Sequence, residues 1–292
     1  MALFHYNFDK AGPGVPENAP RKKGLARFWE MLSRDSFAFW RAGTLALLSA
    51  LPFMLGVWFA VATHALLPLL AAGLLGGALM APQLVGLNDT ILRSLRDEPG
   101  YWWATYCRAW KRNAKASLLP GAVFGLMLAA QIFALFHTQW GQNLVLTIAM
   151  LVGVFFLSGL ALLTFTQIAL LEMSFGGILR NALLLFLGYL PRSLGAIAIK
   201  AVYWGAILLF FPLTTIILPF TNFWLPMLPA LLCIYQPLNK CFTIESTINK
   251  MREDELNAAL AKDNEPLPED PTEKAEESTE ASSDDSSSDD VQ

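Results

Sequence analysis

The chain has 292 residues, of which 54% are hydrophobic and 15% charged, with a mean hydropathy of +0.43. Those values exclude an ordinary soluble domain and describe a polytopic membrane protein. The net charge of −3 conceals a split: residues 1–252 carry 19 Lys and Arg against 9 Asp and Glu, whereas residues 253–292 carry 2 against 15.

Residues 1–24 are dense in Gly, Pro and charge, which predicts a flexible cytoplasmic arm, and no leader-like apolar run is visible near the start. Residues 25–40 set Phe28, Trp29, Met31 and Leu32 among Arg27, Glu30, Arg34 and Asp35. That pattern predicts an amphipathic helix lying in the membrane interface. Residues 42–88 and 116–171 then contain no Asp, Glu, Lys or Arg. Each run is long enough for two crossings of about 20 residues, so each predicts a hairpin.

The expected fold is all-α, with six transmembrane helices at about 42–63, 65–87, 117–136, 144–171, 193–218 and 223–239, arranged as three hairpins. Gly73 with Gly77 and Gly121 with Gly125 form two GxxxG pairs, which predict close helix packing within the chain rather than a dimer seam. The charged island at 88–116 is expected to break at Glu98, Pro99 and Gly100. Its second half combines Trp102, Trp103 and Trp110 with Arg108, Lys111 and Arg112, an in-plane elbow helix at the inner headgroups. These basic residues read as topology signals and not as a nucleic-acid surface.

A second elbow is expected over 173–192, after Glu172 returns the chain to the inner side. All Lys and Arg fall in the arm, the elbows, the tail or, for Lys200, the inner end of span five, and the three outer turns, the third near Pro219–Asn222, carry none. The positive-inside rule then places both termini in the cytoplasm. FAFWRAG, YCRAWKRNA and a weaker GGILRNA precede the hairpins as a threefold internal similarity. Beyond residue 250 the sequence predicts a short helix to about Lys262 and a disordered acidic tail.

Side chains suited to chemistry are sparse. Lys200 is expected to snorkel to the inner headgroups, with Glu172 the alternative partner. His64 and His137 share the outer surface, but two imidazoles without a nearby carboxylate or thiolate make a poor metal site. Gln131 and Gln167 are expected to bond between helices. Pro212, Pro219, Pro226, Pro229 and Pro237 concentrate kinks in the last hairpin. Cys107, Cys233 and Cys241 have no metal or disulfide spacing. With no nucleophile and base pair, phosphate loop or ligand cluster in the sequence, neither an enzyme nor a cofactor is expected.

The run GPGVPENAPRKKGLARFWEML, the first hairpin and YWWATYCRAWKRNAKASLLPG together resemble the YesL-like family of bacterial integral membrane proteins, over roughly residues 8–250. The family has no established activity, and its members are commonly encoded beside carbohydrate ABC transporters and polysaccharide-degrading enzymes. The resemblance therefore implies a multi-pass protein of the bacterial cell membrane, an accessory or assembly component of carbohydrate uptake with a carbohydrate ABC transporter as partner. It carries over no functional residues, and the long acidic tail departs from it. Separately, EMSFGGILRNALLLFLGYLP is similar to the loop by which ABC permeases dock on their ATPase, running from Glu172 through Gly177 and Arg180 to Pro191. That likeness implies a permease-like subunit as the alternative, although Met173 and Ser174 replace the two alanines and the glycine is displaced by one. Oligomeric state is not legible in the sequence.

Overall fold

The structure, a computed structural model, describes residues 21–98, 100–138 and 143–263. The expected arm before residue 21, Pro99, the middle of the turn at 139–142 and the expected acidic tail after residue 263 lie outside the described residues. The chain divides into two units, Met1–Thr243 and Ile244–Gln292.

Among the described residues the first unit is helical: α1 (Leu25–Thr63), α2 (Leu66–Leu95), α3 (Trp102–His137), α4 (Leu144–Leu170), α5 (Phe175–Gly188), α6 (Leu190–Leu209) and α7 (Trp224–Phe242). Six helices are long and apolar enough to cross a membrane; the 14-residue α5 is the shorter apolar one. In the second unit, α8 (Ile244–Asp263) matches the helix expected after residue 245.

Two expected elbows are not separate elements. Residues 25–40 run without interruption into the first span, and residues 102–116 run likewise into the third. The 39 residues of α1 extend about 58 Å, nearly twice a bilayer core. The charged segments of α1 and α3 therefore continue the apolar helices without a break. The expected break at Glu98 and Gly100 is present between α2 and α3, where Asp97 has φ 57.

The glycine pairs meet each other. A Cβ on Gly77 would fall 2.8 Å from Gly125 Cα, and one on Gly73 would fall 2.8 Å from Leu126 Cα. Gly121 faces Ala81 and the Gly77 carbonyl. Ala72–Gly76 forms a π-helical segment, and its Gly76 turns toward α1, where a Cβ would lie 2.7 Å from Phe53 Cα. One small-residue stretch thus admits two neighbouring backbones.

The last third of the bundle departs from the expected hairpin. Phe186 of α5 packs on Phe156 of α4, ring centroids 4.9 Å apart, and beside Gly159, so α5 climbs back along α4 from the basic end. Tyr189 turns the chain, and α6 descends with Ile197 also against Gly159. Tyr203 then bonds Thr221 at 2.8 Å, while Tyr189 bonds Cys241 at 3.7 Å, so α7 is antiparallel to α6.

The connection expected as an outer turn therefore lies at the other end. Trp40 Nε1 donates to the Pro219 carbonyl at 3.1 Å, Asn222 Nδ2 reaches Thr44 at 3.5 Å, and Phe39 lies 6.2 Å from Trp224. These α1 residues stand about 30–38 Å from His64 along the helix. Span five ends at Leu209 rather than 218, and α7 finishes at the opposite end of the bundle from Leu25. Two hairpins are followed by an up, down and up passage, and each of the three similar segments, GGILRNA included, enters a helix rising from the basic end.

On a cysteine-free background, Thr63→Cys and Thr215→Cys are expected to react with an impermeant thiol reagent from opposite sides of sealed vesicles. Reaction of both from one side would restore the simple third hairpin.

Candidate functional site at the basic end of the bundle

A dense constellation of polar side chains surrounds the end of α2. Arg27, only 6% exposed, donates to the carbonyls of Ser94 at 3.3 Å and Leu95 at 3.0 Å, and to Asp97 Oδ2 at 2.8 Å and Glu30 at 2.9 Å. Arg34 donates to Asp97 Oδ1 at 2.6 Å and to the Ser94 carbonyl at 2.9 Å. Arg21 adds the Arg96 carbonyl and Asp97, both at 3.0 Å. The last carbonyls of a helix have no partner within it and carry partial negative charge, so these arginines from α1 and the segment before it cap α2.

Asp97 lies where the arginines converge. Burial pushes its carboxyl up, but hydrogen bonds from Arg34 and Arg27 outweigh that and hold it below the usual carboxylate range. A carboxylate with a lowered folded value stabilises above its unfolded value of about 3.9, and the contribution is lost as pH falls through the folded value. The clamp is therefore intact at neutral pH.

A second cluster joins three helices. Asp89 is 2% exposed and pairs with Arg93 at 2.8 Å and with Arg112 at 4.0 Å. Arg112 Nη2 in turn donates to the Ala169 carbonyl in the last turn of α4 at 3.2 Å. Between the clusters is a cavity of about 390 Å³ lined by Arg34, Asp35, Arg93, Asp97, Glu98 and Trp102. Its guanidinium groups are committed to carboxylates, Glu98 included at 2.6 Å from Arg96 and 3.5 Å from Arg93. The arrangement immobilises helix ends.

Of the residues expected at the membrane interface, Trp102, Trp103 and Tyr106 cluster with centroids 5.4–6.3 Å apart, and Arg41 lies 3.9 Å over Phe37 and 5.4 Å from Trp102. Arg108 and Lys111 are exposed and Trp110 is half-buried, while Arg112 is drawn into the second cluster. Sequence reasoning missed Arg27, Arg34, Asp89 and Asp97; their signal was acidic residues placed among basic ones in segments read only as elbows.

The expected docking elbow is not brought together. Glu172 precedes α5 and Pro191 follows it, so about 20 Å of helix separates them. Gly177 lies within regular helix and supplies no bend; a Cβ there would meet only ordinary contacts at 3.4 Å. Arg180 is exposed. Lys200 has no ion-pair partner among the described residues, Glu172 included. Gln167 bonds the Leu163 carbonyl of its own helix at 3.3 Å, not another helix, and Gln131 lies against Gly153 of α4.

Comparison with known proteins finds no matching family model, no matching curated protein and no matching solved structure.

Replacing Asp97 by Asn is expected to lower stability in detergent by about 2–3 kcal/mol, the scale of hydrogen bonds to charged groups, and to flatten the acid limb of the pH–stability curve. Gly77→Ala is expected to cost about 1–3 kcal/mol through forced helix separation. Gly177→Ala should instead gain up to about 1 kcal/mol from helix propensity. Thermal unfolding of the three variants checks all of these directions.

Proposed function

We propose that this chain is a non-catalytic accessory or assembly protein of bacterial carbohydrate uptake, held in the cell membrane with its basic end in the cytoplasm. The observation that carries the structural half is the clamp: the buried charges of α1, α2 and α3 are matched to one another and to helix ends, which suits a rigid platform. The carbohydrate half is supported by the resemblance of residues 8–250 to the YesL-like family. A carbohydrate ABC transporter is the partner that the resemblance implies, and the lipid bilayer is the surrounding medium.

The cytoplasmic assignment of the basic end is supported by Arg27, Arg34, Arg41, Arg93, Arg96, Arg108, Lys111, Arg112 and Lys115, all in the charged extensions of α1, α2 and α3. With that end inside, α7 rises toward the outer side, so the first unit begins and ends on opposite sides. The permease-like alternative keeps the prolines of the last hairpin, Pro229 and Pro237 within α7, but Glu172 and Pro191 flank a 14-residue helix, which weakens the docking-loop half of that reading.

Deleting the gene while leaving a neighbouring carbohydrate ABC transporter intact tests the proposal, with transporter abundance and sugar flux measured separately. The expected outcome is reduced abundance with unchanged flux per transporter. Normal abundance with lost flux would revive the permease reading, and no change in either would sink the carbohydrate link.

A further inference from the structure

The helix ends opposite the clamp carry a second constellation. His64 ends α1 with φ 54 and ψ 28, in the left-handed region, and its N–H bonds the Ala60 carbonyl. Glycine is the usual residue at such a helix end, because an L side chain crowds the backbone there. A histidine at this position aims its imidazole across toward α3.

His137, the last residue of α3, supplies the other ring. Its Nδ1 lies 2.7 Å from the Phe133 carbonyl, and its ring stacks on that of Phe133 with centroids 4.0 Å apart. A carbonyl only accepts, so Nδ1 carries a proton, and in the neutral ring it is Nε2 that keeps the lone pair. That lone pair faces His64 Nδ1 at 2.5 Å. Both rings are exposed to solvent. The sequence alone leaves them a poor metal site; their contact, across 73 positions of chain, is what the fold adds.

A neutral imidazole whose one nitrogen is fixed by a backbone carbonyl, and whose other offers a lone pair, has the orientation typical of metal-ligating histidines. We propose that His64 and His137 form a bis-imidazole site for a borderline divalent transition-metal ion, Cu²⁺ or Zn²⁺, bridging the ends of α1 and α3. Imidazole suits these ions and discriminates against Mg²⁺ and Ca²⁺, and Cu²⁺ heads the affinity order.

The required adjustment is small. With metal–nitrogen bonds of about 2.0–2.1 Å, two nitrogens sit about 2.9 Å apart in a cis square-planar arrangement and about 3.3 Å apart in a tetrahedral one. The rings must separate by less than about 1 Å, which rotation of two exposed side chains supplies. His64 moves its proton from Nδ1 to Nε2, so the imidazoles remain neutral and no charge is displaced. Residues 42–88 and 116–171 contain no acidic side chain, so the first two hairpins offer the ion no carboxylate and leave its other positions to exchangeable ligands such as water. The site is thus open and exchangeable.

The test uses the full chain without a histidine tag, in detergent, titrated with the nitrilotriacetate chelate of Cu²⁺, which leaves two coordination positions free. Electron paramagnetic resonance is expected to show one bound copper per chain with two imidazole nitrogens. His64→Ala and His137→Ala should each abolish the two-nitrogen signal, whereas His5→Ala, which changes the remaining histidine, should retain it. Metal-free unfolding of the variants reports whether they fold as the parent does. No copper bound at one equivalent, or a two-nitrogen signal surviving in either single variant, would overturn the site.

Discussion

The bundle depends on arginines of rising helices capping the ends of descending ones. Arg27 and Arg34 of α1, with Arg21 just before it, satisfy the Ser94, Leu95 and Arg96 carbonyls that close α2, and Arg112 of α3 satisfies the Ala169 carbonyl that closes α4. Helix ends near a bilayer cannot leave carbonyls dry, because hydrocarbon supplies no donor. Arginine suits the task where lysine would not. Its planar fork lets Arg27 hold two carbonyls and two carboxylates at once, whereas an ammonium is a point charge on a flexible stem. The same basic residues that the positive-inside rule counts therefore also tie the helices together.

That clamp has a geometric consequence in the apolar zone. The contact of α2 with α3 is close because glycines meet there, Gly77 against Gly121 and Gly125, and such a crossing tolerates little axial slip. A shift of one residue moves a helix by about 1.5 Å and rotates larger side chains toward the seam. Asp89, paired with both Arg93 and Arg112, fixes the same two helices axially only three turns from Gly77. Polar pairing at the boundary and glycine packing in the span are thus two halves of one register.

The uncharged runs, the paired GxxxG motifs and the break at Glu98 and Gly100 were legible because each is a local property of composition or spacing. The clamp was not. Arg27 and Asp97 are 70 positions apart, and no periodicity announces which arginine meets which carboxylate. The third hairpin was misplaced for a different reason: α5 has only 14 residues, below the length that marks a span, so it read as an elbow. GGILRNA was the available signal. Its likeness to FAFWRAG and YCRAWKRNA sets it at the foot of a rising helix, which shifts the hairpin one helix earlier and frees α7 to end at the far side.

Closure of the bundle between its first and last helices then comes down to a position inside FAFWRAG. Asn222, with φ 23 and its side chain wholly buried, bonds the Pro219 carbonyl at 3.2 Å and accepts from the Trp224 N–H at 3.2 Å, so it holds the return turn in shape by itself. What lets that turn dock on α1 is Gly43: a Cβ there would fall 2.9 Å from Asn222 Cγ and 3.1 Å from the Trp224 ring. Trp40 supplies the attraction through the Pro219 carbonyl, and Gly43 removes the obstruction one helical turn later. The corresponding position in YCRAWKRNA is not a glycine. The internal repeat is therefore broken where the first helix must receive the last one.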